Sequence, residues 1–92
     1  MATHHASAGD VERLLRERLA PSRIAVVDDS ASHAGHAGAA EGSHFSVRLE
    51  SERFAGLTRL ARHRLVYDSL GPLMTRGIHA LAIDARAPGE QR

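Results

Sequence analysis

Residues 45–85 read FSVRLESERFAGLTRLARHRLVYDSLGPLMTRGIHALAIDA, and this stretch decides the fold. Its first five residues alternate strictly. Phe45, Val47 and Leu49 fall on one face, Ser46 and Arg48 on the other, the pattern of a half-buried strand. Its last eight, IHALAIDA at 78–85, are apolar on both faces, which suits a covered interior strand. Residues 54–76 between them are mainly helical. A short turn at 54–57 leads to Thr58 as helix N-cap, and Ala61, Leu65, Val66, Leu70, Leu73 and Met74 recur at helical spacing toward a core. Pro72 has no amide donor, so Gly71-Pro72 weakens or kinks this helix, and Gly77 suits the position just past its end. Strand, helix and strand in that order make a crossover unit with parallel strands and a right-handed connection.

Upstream, residues 10–20 read as a helix with Val11, Leu14, Leu15 and Leu19 on one face, Asp10 as N-cap and Pro21 closing the segment. Residues 23–28, RIAVVD, are rich in β-branched side chains and read as a strand. Between the two upstream strands lies SASHAGHAGAAEGS, residues 30–43, which has no apolar periodicity. Two to five residues suffice to join neighbouring antiparallel strands, so a loop this long in so small a domain is expected to be functional or mobile. The sum is an α+β chain of order α-β-β-α-β: a three-stranded mixed sheet covered on one face by two helices. Residues 1–9 and 89–92 read as polar tails around one domain, 10–88.

Composition narrows the function. The chain has 92 residues, and 16 of its 39 hydrophobic residues are alanine, so one modest core is all it can build. Twelve basic residues, all arginine, stand against 11 acidic ones, so bulk charge points to neither nucleic acid nor membrane. No segment approaches the ~20 apolar residues of a membrane span and the N-terminus lacks the pattern of a signal peptide, so a cytoplasmic protein is expected. There is no cysteine, which excludes a disulfide scaffold, a thiol nucleophile and a self-contained thiolate metal site. There are seven histidines. No nucleophile-elbow or paired-carboxylate motif surrounds the Ser, His and Asp residues, so no enzyme is expected.

The series Asp29-Ser30, the histidine-bearing loop, Ser43-His44-Phe45, Arg53-Phe54-Ala55-Gly56, Arg62-His63-Arg64-Leu65-Val66-Tyr67 and Gly77-Ile78-His79-Ala80-Leu81 resembles the BolA family over residues 10–88. Asp28-Asp29-Ser30 stands where members commonly carry Asp-Glu-Ser. The resemblance implies an α/β fold related to class II KH domains. It also implies pairing with a monothiol glutaredoxin, the two proteins together holding a bridging 2Fe–2S cluster present only in the complex, for cluster delivery, assembly or iron regulation. Some members have been regarded as DNA-binding transcriptional regulators. DNA and a second copy of the chain, as a homodimer, are therefore further partners to consider.

The resemblance makes His79 the principal cluster ligand. On its own, a histidine one residue into a strand, sharing a face with Leu81 and Ile83 by the period-two rule, reads as satisfied by a backbone carbonyl. One loop histidine completes the site in the histidine-loop subgroup. His33 occupies the matching position counted from Asp29-Ser30, and His36 is the alternative. Glycines 35 and 38 let the backbone place either ring. Imidazole is a fitting iron ligand, and the partner's cysteine and bound glutathione would bring the thiolates this chain lacks. His44 reads as structural, His63 as a helix residue open to capping or partner contact, and His4 and His5 as tail.

A local charge is hidden in the balanced total. No acidic residue stands between Glu52 and Asp68, and Arg53, Arg59, Arg62, His63 and Arg64 lie there. The surface reads as a solvated face, a dock for an anionic partner, or a helix-turn-helix meeting phosphates. The only GXXG spacing, Gly35 to Gly38, falls in the histidine loop and not between two helices, so it is no nucleic-acid clamp.

Overall fold

The structure is a computed structural model and describes residues 7–29, 43–71, 73–76 and 78–90. The element order is α1 (Ala8–Leu19), β1 (Arg23–Asp28), β2 (Ser43–Glu50), a 3-10 turn (Glu52–Phe54), α2 (Arg59–Leu70), α3 (Leu73–Arg76) and β3 (Ile78–Arg86).

Helix α1 begins earlier than the sequence reading placed it. Ser7 is the N-cap: its Oγ accepts from the Asp10 N–H, and the Asp10 carboxylate accepts from the Ser7 N–H. Asp10 is therefore the third helical residue of a capping box, where its charge also meets the positive end of the helix. Val11, Leu15 and Leu19 are fully buried and Leu14 partly so. The helix ends at Ala20, which adopts the left-handed conformation (φ 45°) with its N–H on the Arg16 carbonyl.

The sheet order is β1-β2-β3. β1 and β2 pair antiparallel, with Arg23 opposite Glu50 and Asp28 opposite Phe45. β2 and β3 pair parallel, with Phe45 opposite Leu81 and Leu49 opposite Ala85. The parallel pairing agrees with the crossover expectation. The interior position expected of β3 does not: β3 is an edge strand and β2 is the central one. The double-faced apolar run misled because one of its faces is alanine. Ala80 and Ala82 are exposed and have little surface to hide.

Pairing between β2 and β3 shifts at one point. Ser43 is opposite Ile78 but His44 is opposite Ala80, so His79 is the extra residue of a β-bulge. Period-two counting from Leu81 therefore does not carry across to His79. Ile78 is buried in the core with Leu81 packed against it three residues on, a spacing strict alternation does not allow.

Phe45, Val47 and Leu49 of β2, with Ile78 of β3, are the sheet's buried contribution to the core, in one cluster with Val11, Leu15, Leu19, Phe54, Val66 and Leu70. The long helical stretch divides. α2 starts at Thr58, whose Oγ1 accepts from the Ala61 N–H as expected. It stops at Gly71, which at φ 49° and ψ −118° has a backbone suited to glycine, and the short α3 follows. Gly77 lies outside the described residues. No helix of the described residues is long and apolar enough to cross a membrane.

Candidate functional site

The topology gathers the histidine-bearing segments at one end of the sheet. β1 runs toward this end, and β2 and β3 both start from it. The Asp29 N–H donates to the His44 carbonyl (2.7 Å), and His44 is opposite Ala80. Asp29, His44 and Ala80 thus form one row across the sheet. The loop 30–42 leaves from this row and returns to it, and His79 precedes Ala80 at the bulge. His33 and His36 themselves lie outside the described residues, as do His4 and His5. The row is braced on the face away from the helices, where the Ser46 hydroxyl donates to the Asp29 carboxylate. His44 is half-buried and alternates to the face opposite Phe45.

His63 is elsewhere. It lines a groove of about 610 Å³ with Arg59, Arg62, Asp84, Arg86 and Glu90. That groove meets β3 toward its far end, roughly 15 Å along the strand from His79 at about 3.3 Å per residue. His63 and His79 therefore belong to different regions. Among the described residues no three His, Asp or Glu side chains gather as a metal would need. With no cysteine in the chain, its donors are imidazole and carboxylate, with no thiolate. That set fits part of a shared cluster's coordination and does not fit a self-contained site.

The arginines separate into two kinds. Arg62 is committed to the fold. Its Nε donates to the Leu57 carbonyl (3.0 Å), and its Nη1 donates to the Ala85 carbonyl (3.2 Å). Its Nη1 and Nη2 also form a bidentate pair with Glu90 (2.6 and 2.8 Å), and only 14% of its side chain is exposed. This guanidinium, with help from the Ala87 N–H, holds the Glu90 carboxyl down from its ordinary 4.5 to about 2, and Glu90 in turn raises Arg62. Arg53 is exposed, but its Nη1 reaches back to the Arg18 carbonyl at the end of α1 (3.3 Å). Arg59 and Arg64 are exposed, and Leu60 and Tyr67 stand exposed beside them at 60% and 39%.

Glu90 is the residue that reading the segment 52–68 alone misses. It comes from the stretch read as a polar tail, yet it offsets one of the four local arginine charges and ties the turn at 87–90 to α2. The helix-turn-helix reading also changes. What precedes the turn at 54–57 is a three-residue 3-10 turn running straight on from β2, too short to be the first helix of such a motif.

The chain matches the family described as BolA-like protein over residues 15–90. It is 43% identical over 83 residues to a Sinorhizobium protein described as "Uncharacterized protein in cobS 5'region", covering 87% of this chain and 89% of that one. It is 42% identical over 73 residues to the "DNA-binding transcriptional regulator BolA" of Vibrio cholerae, covering 79% of this chain and 67% of that one. Other curated relatives are longer: the chain spans 63% of human BolA-like protein 1 and 23% of the SufE-like protein 1 of Arabidopsis thaliana. Among solved structures, BolA1 from Arabidopsis thaliana superposes with a TM-score of 0.80 at 35% identity, covering 96% of this chain and 98% of that one. Sequence and fold agree, and the chain belongs to the BolA-like family.

Proposed function

We propose that this chain is the imidazole-bearing half of a shared iron–sulfur site, with a 2Fe–2S cluster as its cargo and a cytoplasmic monothiol glutaredoxin carrying glutathione as its partner. The observation that supports this reading is topological. The two stems of the His33/His36 loop and the bulge residue His79 come together at one end of the sheet, in a chain with no thiolate of its own. His79 and one of His33 and His36 would ligate one iron, and the partner's thiolates the other. A bulge suits such a position, since it interrupts regular ladder pairing at one residue. Both imidazoles must be neutral to ligate, so binding weakens as pH falls through the ordinary histidine range near ~6.5.

The test is reconstitution of the two proteins with iron, sulfide and glutathione, read by visible absorption and circular dichroism. The His79→Ala variant is expected to form the complex with an altered or lost cluster spectrum. A spectrum identical to that of the unchanged protein rejects His79 as a ligand.

A second reading, DNA binding in transcription regulation, draws on exposed Arg59 and Arg64 and on the name of the Vibrio relative. His63 and Arg53 flank this surface, while Arg62 supports it from within the fold. Salt-sensitive DNA binding through these arginines would be indifferent to His79→Ala, so the same variant separates the two readings.

A further inference from the structure

The two edges of the sheet are treated differently by the rest of the molecule. On β3, the Arg86 carbonyl turns toward β2, where it accepts from the Ser51 N–H (2.9 Å). The neighbouring Ala85 carbonyl therefore turns to the outer edge, and Arg62 of α2 caps it there. The far end of this edge is thus guarded by a cation and by the turn that carries Glu90. Among the described residues β1 has no comparable guard along Ile24-Ala25-Val26-Val27. No lysine, proline or inward charge interrupts it, and Val27 is 54% exposed.

The hydrogen-bond phase of β1 follows from one bond. The Asp29 N–H donates to the His44 carbonyl, and an antiparallel ladder alternates bonded and non-bonded pairs. Val27, Ala25 and Arg23 therefore direct their amides to β2, while Val26 and Ile24 direct theirs to the open edge.

We propose that β1 is a self-association edge, pairing antiparallel with β1 of a second copy of this chain about a two-fold axis through Val26. The pleat and the ladder phase allow this register, and the charge pattern selects it. Opposed residues in an antiparallel pair must share a face, so their numbers must differ by an even count, and a centre at Val26 satisfies this. It opposes the outward amides of Val26 in the two copies, so each bonds the other. It also sets Arg23 of one copy opposite Asp29 of the other, twice by symmetry, so opposite charges bracket the pair. Between these charges the open face carries Ala25 against Val27, again twice, so the exposed Val27 is covered. A centre one residue earlier, at Ala25, opposes Arg23 to Val27 and loses the charge pairing.

The Asp29 carboxylate keeps its Ser46 bond in this arrangement, since a carboxylate accepts several donors. The resulting six-stranded sheet runs β3-β2-β1-β1-β2-β3. The two copies' loop stems lie at opposite ends of the joined strands, so the inference stands apart from the iron–sulfur reading. One strand pair is a small interface, and the dimer is correspondingly weak and reversible.

The test is sedimentation velocity on the full chain between about 10 µM and 1 mM, the range in which a small interface assembles. A monomer–dimer equilibrium is expected. Arg23→Asp and Asp29→Arg each place like charges at both ends of their own homodimer and should weaken it roughly tenfold. An equal mixture of the two should recover dimer, because the heterodimer has opposite charges at both ends. Val26→Pro leaves the β1–β2 ladder intact, since the lost N–H faces outward, and should leave only monomer. Thermal melts confirm that each variant is folded. A chain monomeric across the whole range overturns the proposal. So does a dimer that Arg23→Asp and Val26→Pro both leave unchanged, or variants whose mixture assembles no better than either alone.

Discussion

Ser51 ties together four parts of the molecule. It is 1% exposed. Its Oγ donates to the Leu19 carbonyl (2.6 Å), one of the last carbonyls of α1 and without a partner inside the helix, and accepts from the Arg53 N–H (3.1 Å) to cap the 3-10 turn. Its own N–H donates to the Arg86 carbonyl on β3. The end of α1, the exit of β2, the turn into α2 and the end of β3 thus meet on one small side chain. Ser51→Ala leaves a buried carbonyl and a turn N–H unsatisfied, and it should cost about 2 kcal/mol. In a domain of this size that lowers Tm by roughly 10 °C. A shift of under about 2 °C by calorimetry would show that neighbouring groups replace the hydroxyl. Nothing in the sequence marks this serine. Its neighbours Glu52 and Arg53 are charged, and only packing reveals its burial.

At the scale of elements, helix ends carry the correctable details. Ala20 holds a left-handed backbone that alanine adopts at a steric cost, and it is exposed, so no side-chain packing depends on it. Ala20→Gly is expected to stabilise the chain by about 0.5–1 kcal/mol, raising Tm by several degrees. Unchanged or lower stability would mean that the added freedom of the unfolded glycine offsets the relief. The apolar spacing from Val11 to Leu19 made α1 legible, because a buried stripe must repeat at the helical period. Its start was displaced by three residues because Ser7 and Asp10 are both good caps, and the reciprocal bonds between them decide which one is the cap. The β-bulge had no signal at all. It rests on how Ser43 and His44 line up against Ile78 and Ala80, which is a property of two strands together.

For the molecule as a whole, the Arg62–Glu90 pair links the start of α2 to the chain's last described turn. Glu90 has a folded pKa of about 2, below its ordinary 4.5, so the folded state takes up its proton less readily than the unfolded one. The stabilisation is complete above the ordinary value and is lost as pH falls through the interval from about 4.5 to about 2. Glu90→Gln should lower the denaturation midpoint at neutral pH and flatten the decline across that interval. An acid limb as steep as that of the unchanged protein would show that the pair adds nothing to folding. The same pair reduces the positive field of α2, so Arg59 and Arg64 remain the arginines best placed to meet an anionic partner.

The sequence by itself determined the α+β order, the three strands, the parallel crossover and the family, because periodicity, caps and motif order are local and survive without coordinates. It also determined that this chain supplies no thiolate to any metal site, since it contains no cysteine. Only the tertiary structure decided which strand is central, that His79 stands at a bulge, that Glu90 claims Arg62, and that β1 presents an edge unguarded among the described residues. Each of these depends on the alignment of residues far apart in the chain. That alignment is fixed by how the core packs and by which backbone groups find partners, and neither is written in any single segment.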